Sequence, residues 1–187
     1  AITKALYDGL TVNEALSHAL YLYGEDELEA QHQGHPYSEK KAESERQALT
    51  DYLRVAIPHY QALGKPVAAQ KKIKLEFDEL PIPIIGYLDL QYEGVVRDIK
   101  TVGRLPSKVP DSINRQLSIY AAAENNLPLV DYVHVTKTQA QVVVMPVNDV
   151  DGHLRVVRTA AQNMMRLLSF SSDIGEVARL LMPDFDD

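Results

Sequence analysis

From residue 70 the apolar side chains change their period, and no other feature of the chain limits its fold as much. In KKIKLEFDEL, Ile73, Leu75 and Phe77 alternate with Lys72, Lys74, Glu76 and Asp78. That is the two-residue period of a strand with one wet face, and it places Glu76 on that face. The prolines of LPIP break the strand. Two further short strands are expected at about 84–91 and 95–101, joined around Glu93-Gly94. Upstream the period is helical. Val12, Ala15, Leu16, Ala19 and Leu20 mark a helix over 11–23, which Thr11 and Glu14 can open as a capping box. Residues 24–37 read as a polar loop. Ser38 to about Leu63 reads as a long helix that Pro58 kinks or ends, and Gly64-Lys65-Pro66 as a turn.

Downstream of the strands, VGRLPSKVPDS reads as a loop, and Ser112–Glu124 as a helix with Asp111 or Ser112 at its N-cap. LPLVDYVHVTK and QVVVMPV read as two more strands. Helices at about 151–169 and 173–182 follow, the second opened by Asp173 with Glu176 three residues on. Helices, three strands, helix, two strands, helices: this order gives an α/β or α+β layout with one mostly antiparallel sheet of about five strands covered by helices. A chain of 187 residues fits one domain. Its expected parts are N-terminal helices (1–66), a sheet-and-helix core (67–148) and C-terminal helices (149–187).

The polar residues of GYLDLQYEGVVRDIKT carry the functional question. Asp98 and Lys100 are two apart on a strand and share a face. A two- or four-residue turn puts Asp89 directly opposite Asp98, on the same side of the sheet with Cβ atoms roughly 4.5–5.5 Å apart. Two carboxylates about 4 Å apart repel by about 4 kcal/mol at an effective dielectric of 20. A hard divalent cation removes that repulsion, and Mg²⁺ prefers oxygen ligands. Such a site can ionise water and support displacement at phosphorus. The plain alternative is a surface salt bridge of Lys100 with Asp98 or Asp89.

These residues resemble a known constellation. GYLD, then DIKT, then QLSIY on the next helix is similar to the PD-(D/E)XK nuclease superfamily, in its RecB-like phage and bacterial exonuclease branch. The resemblance covers roughly residues 70–145 closely. It implies an α/β, restriction-endonuclease-like core, a mixed sheet with helices on both faces, and a metal-dependent DNA nuclease serving recombination or repair. It also implies that Asp89, Asp98 and the Ile99 carbonyl hold Mg²⁺ (or Mn²⁺), that Lys100 is the catalytic lysine, and that Gln116 and Tyr120 support the site. Those two residues are also explained by a helix packing its tyrosine in the core. RecB-like nucleases often carry a G-x-x-x-H on an N-terminal helix; here Gly9 is followed by Asn13. Glu14, the neighbouring carboxylate, is a metal-ligand candidate that the capping box explains equally. His18 reads as a partly exposed surface histidine.

The net charge of −7 argues against nucleic-acid binding by bulk electrostatics. Contact with a polyanion needs a local patch or bound cations. Arg104, Lys108 and Arg115, directly after the proposed site, suit a phosphate-tracking loop, or are incidental charges on an exposed loop. There is no cysteine, which excludes thiolate metal sites and fits a cytoplasmic protein. No stretch is long enough to cross a bilayer. DNA is the expected partner, with a recombination or helicase partner, or further copies of the chain, as additional possibilities. A catalytically inactive relative, acting as a DNA-binding or structural subunit, is the rival reading.

Overall fold

The strands place everything else in the computed structural model, which describes residues 2–181. They are β1 (Ala68–Leu75), β2 (Ile84–Tyr92), β3 (Val95–Val102), β4 (Leu127–Val135) and β5 (Ala140–Pro146). They form one sheet in the order β1-β2-β3-β4-β5. Pairing is antiparallel except between β3 and β4, which run parallel. The chain returns to the start of β4 through helix α4 (Asp111–Glu124), because parallel neighbours need a crossover. This is the expected α/β fold with a mixed, mostly antiparallel five-stranded sheet between helices.

Helices cover both faces. On one side lie α1 (Ile2–Asp8) and α3 (Glu39–Ala62), with α2 (Val12–His32) packed outside them. Leu6, Ala56 and Tyr60 meet Leu90 and Val133 of the sheet there. On the other side α4 presents Leu117 and Tyr120 to Ile73, Leu88, Val96, Val130 and Tyr132. Each fully buried aliphatic side chain in these layers contributes about 1.5–3 kcal/mol. Helix α5 (Val150–Leu168) packs against α4, and α6 (Ile174–Leu181) follows. Met182, the expected last residue of α6, lies outside the described residues. No helix among the described residues is long and apolar enough to cross a membrane.

Several boundaries differ from the sequence reading. Residues 24–32 are helical, because α2 continues to His32. Its polar second half is tied to α3 by Arg46–Glu27 at 2.7 Å and a Tyr23–Glu45 hydrogen bond at 2.5 Å. Such pairs support a helix that has little apolar face of its own. Pro58 neither ends nor interrupts α3, which runs on to Ala62. Pro58 and Arg54 are both exposed, so the Arg54 carbonyl that loses its helical donor is left to solvent. Strand β1 stops at Leu75, before Phe77. Helix α4 is N-capped by Pro110 rather than Asp111 or Ser112, with no side-chain capping bond.

Candidate active site

The β2–β3 hairpin has a two-residue turn, the shorter of the two even lengths considered, with Gly94 supplying the positive φ of 71°. The register is therefore even: Tyr92 faces Val95, Gln91 faces Val96 and Leu90 faces Arg97. The next pair in that register is Asp89 with Asp98, but pairing ends one step short of it. Across β1 and β2 the same level is skipped, between Ala69–Leu90 and Lys71–Leu88. Gln70, at that level, has a left-handed φ of 49°.

Alternation breaks at the same place. Leu88 packs in the core beneath α4 and Leu90 in the core beneath α3, although residues two apart on a regular strand share a face. Asp89 sits at the break, as in a β-bulge. Its Oδ2 accepts a hydrogen bond from the Ile99 backbone N–H at 2.8 Å, and its Oδ1 one from Gln70 Nε2 at 2.9 Å. It lines a cleft on the α3 side together with Ile99 and Thr101. Asp98 and Lys100 instead turn toward α4, where Gln116 meets Asp98. The expectation that directly opposed carboxylates share one face is thus corrected. The register is right, but the kink in β1 and β2 sends Asp89 into the seam between β2 and β3.

One link across that seam survives. In an antiparallel pair the N–H and C=O of a residue reach toward the same neighbouring strand. The edge of β3 that Asp89 contacts through the Ile99 N–H therefore also carries the Ile99 carbonyl.

Asp98 is 2% exposed. Its Oδ1 accepts from Gln116 Nε2 at 3.3 Å, and the same amide nitrogen lies 2.8 Å from the Tyr120 hydroxyl. Lys100 Nζ stands 2.8 Å from Asp98 Oδ2. That contact is an ion pair without hydrogen-bond geometry, so Oδ2 is buried with no hydrogen-bond partner. Burial pushes the Asp98 carboxyl above the ordinary aspartate range. Lys100 opposes that shift, and the negative charge of Asp89 adds to it.

Two contributors escaped the sequence reading. Tyr132 of β4 pairs in register with Lys100, and its buried hydroxyl has no hydrogen-bond partner. Burial, then the charge of Asp98, raises its pKa. No sequence signal fixes the β3–β4 register that brings it there. Gly86, the glycine of GYLD, lies under the Tyr120 ring: a Cβ at that position would stand 2.7 Å from Tyr120 Cε1. The glycine of one motif is the seat for the tyrosine of the other.

The remaining sequence candidates are not part of this cluster. Glu14 is a cap residue: its Oε2 accepts from the Thr11 backbone N–H at 2.8 Å and from Thr11 Oγ1 at 2.7 Å. Those bonds hold its carboxyl below the usual glutamate range. It is accordingly withdrawn from the metal ligands. Glu76 is exposed and paired with Lys74, and His18 is half-buried. Arg104 and Lys108 are exposed on the β3–α4 loop, and Arg115 is half-buried on α4. None of the three forms an ion pair among the described residues.

Among the described residues no three His, Asp or Glu side chains gather to hold a metal ion. The expected ligand set has only two carboxylates and a carbonyl, so its fit rests on those groups. The buried Asp98 Oδ2, with no hydrogen bond and the Lys100 ammonium 2.8 Å away, is the kind of oxygen a hard cation takes. Of the expected ligands, Asp98 Oδ2 has the chemistry a divalent cation takes, whereas both Asp89 oxygens are engaged on the other side of the sheet.

No family model matches the chain, and no curated protein does. A solved structure described as "Crystal structure of SSO0001" is similar over 88% of this chain and 96% of its own, at 15% identity and a TM-score of 0.41. At that distance the likeness adds nothing about the site.

Proposed function

We propose that this protein is a divalent-metal-dependent deoxyribonuclease of the PD-(D/E)XK, RecB-like kind, an exonuclease acting in recombination or repair in the cytoplasm. The observation that carries the reading is the buried Asp98 carboxylate, with one oxygen lacking a hydrogen bond and Lys100 beside it. A charge held out of water in this way is costly, and such groups concentrate at functional sites. Asp89, Asp98 and the Ile99 carbonyl would hold Mg²⁺ or Mn²⁺. When bound, the cation supplies Lewis-acid polarisation of the phosphate and a water ionised near neutral pH.

The chain's own groups do the rest. Gln116 braces Asp98 and is itself placed by Tyr120. Lys100, one-third exposed, can leave Asp98 to hold the attacking water or to neutralise charge on the phosphate. Arg104, Lys108 and Arg115 follow the DNA backbone away from the site. The test is single-turnover cleavage of end-labelled DNA with Mg²⁺ or Mn²⁺, and with EDTA. Cleavage that needs the cation and disappears in Asp98→Asn and Lys100→Ala is expected. Full activity in either variant would refute these roles.

One observation favours the rival reading of an inactive, DNA-binding relative. Asp89 is already engaged by Gln70 and the Ile99 peptide, and Lys100 already neutralises Asp98. That reading expects DNA binding with no cleavage under any of Mg²⁺, Mn²⁺ or Co²⁺.

A further inference from the structure

Beside Asp89, on the face of the sheet away from Lys100 and Gln116, a cleft of about 340 Å³ opens between the sheet and helices α1 and α3. Its volume falls at the lower end of the about 300–1,000 Å³ typical of small-molecule sites. One wall is apolar and aromatic: Leu49, Tyr52 and Leu53 of α3. The opposite rim is polar, made by Thr3 of α1, Gln70 of β1 and Thr101 of β3. Gln70 gives its amide N–H to Asp89. Its carbonyl oxygen has no described partner and is free to accept. No lysine or arginine lines the cleft while the Asp89 carboxylate does, which disfavours a charged phosphate inside it.

From this we infer that the cleft takes one unpaired nucleobase of a single-stranded DNA end, stacked against Tyr52 and hydrogen-bonded along its edge by Gln70, Thr3 and Thr101. The inference rests on the nuclease reading and deepens it by naming the substrate as single-stranded. A base is neutral and flat, with one apolar face and one hydrogen-bonding edge, which matches a cation-free cleft with one aromatic wall and one polar rim. Its phosphates stay outside the cleft, which the Asp89 carboxylate helps to line. The edges of a paired base are already used, so only an unpaired base has one free for the polar rim. Stacking on aromatic side chains is the usual way a protein holds single strands irrespective of sequence.

The experiment reads the base rather than the chemistry. Single-stranded oligodeoxynucleotides carrying 2-aminopurine at one end or the other are titrated with the protein in EDTA, so that nothing is cleaved. Quenching on binding is expected for one of the two ends with wild type. It should be kept by Tyr52→Phe and lost by Tyr52→Ala, with affinity falling about 5- to 150-fold. An abasic end should weaken wild-type binding similarly, and leave Tyr52→Ala unaffected. Gln70→Ala, an exposed position, should weaken binding less, and covers the case in which Tyr52→Ala melts early. Absent quenching in wild type, equal quenching in wild type and Tyr52→Ala, or equal affinity for abasic and intact ends overturns the inference. Metal-dependent cleavage without quenching leaves the nuclease reading standing and removes this one. Quenching without cleavage does the reverse.

Discussion

Two aspartates are buried in adjacent strands of this sheet, and they are treated in opposite ways. Asp131 of β4 is 0% exposed and faces the α3 side. Both of its oxygens are 2.9 Å from Arg97 Nη1, whose guanidinium also stands over the Tyr92 ring. Asp98 of β3, 2% exposed, faces α4 with one amide bond, an ammonium at its side and an oxygen without a hydrogen bond. Asp131 has a rigid planar cation that answers both oxygens. Asp98 has a flexible ammonium on a partly exposed stem, which can leave. The difference separates a charge that completes a structure from one held ready for a ligand.

Neutralising each aspartate in turn should break the comparison most visibly. Asp131→Ala strands the Arg97 guanidinium, and breaking a buried pair in this way costs about 3–5 kcal/mol. A fall of that size in urea unfolding free energy is expected. Asp98→Asn should cost cleavage instead: at least about 10³-fold in the single-turnover rate, or about 4 kcal/mol of barrier, with no loss of stability. Should Asp98→Asn unfold the protein while Asp131→Ala leaves it intact, the two roles have been assigned the wrong way round.

Cations sharpen the same contrast. A ligand that binds only the folded state stabilises by mass action, about 2.7 kcal/mol at a hundred times its Kd. Mn²⁺ should therefore raise the wild-type melting temperature, EDTA should reverse the shift, and Asp98→Asn should abolish it. A shift that survives in Asp98→Asn would place the cation elsewhere.

How much of this could be read from the sequence depends on how local each feature is. The period change near residue 70, the shared face of Asp98 and Lys100 on β3 and that of Gln116 and Tyr120 on α4 follow from alternation and i, i+4 spacing; that the two pairs meet is implied only by the resemblance. The turn of Asp89 into the seam follows from none of these. It needs Gln70, on another strand, in a left-handed conformation, and nothing in GYLDLQ announces a break in alternation. Residues 24–32 misled for a related reason, since their helix is held by partners on α3 distant in sequence. Gly86 lies between these cases: its position is evident in GYLD, but its cause, the Tyr120 ring, is evident only in three dimensions.

That cause carries its own expectation. Gly86→Ala pushes a methyl to 2.7 Å from Tyr120 Cε1 in a buried layer, and overpacking of this kind costs about 1–3 kcal/mol. Because Tyr120 places Gln116, and Gln116 braces Asp98, the variant should also slow cleavage. Combining Gly86→Ala with Tyr120→Leu, which removes the ring, should restore stability but not rate. Recovery of both would make Tyr120 a packing residue only.

The smallest effect tests the character of Asp98 itself. Its folded-state pKa is raised, chiefly by burial, from a starting value of 3.8. The native state therefore holds the proton more tightly than the unfolded chain. The favourable contribution of that proton is fully present below the unfolded value and is lost as pH rises through the folded one. At neutral pH the ionised Asp98 thus costs stability, and Asp98→Asn, which removes the charge while keeping the shape, should be slightly more stable than wild type. Lys100, left without its carboxylate, is exposed enough to reach water. The advantage of the variant should shrink as pH falls toward about 4, where wild-type Asp98 is neutralised too. Urea midpoints at neutral and acid pH, measured without divalent cations, decide the matter. An advantage that is flat with pH, or that grows in acid, would mean Lys100 already satisfies Asp98 as fully as Arg97 satisfies Asp131, and the contrast between the two aspartates would vanish.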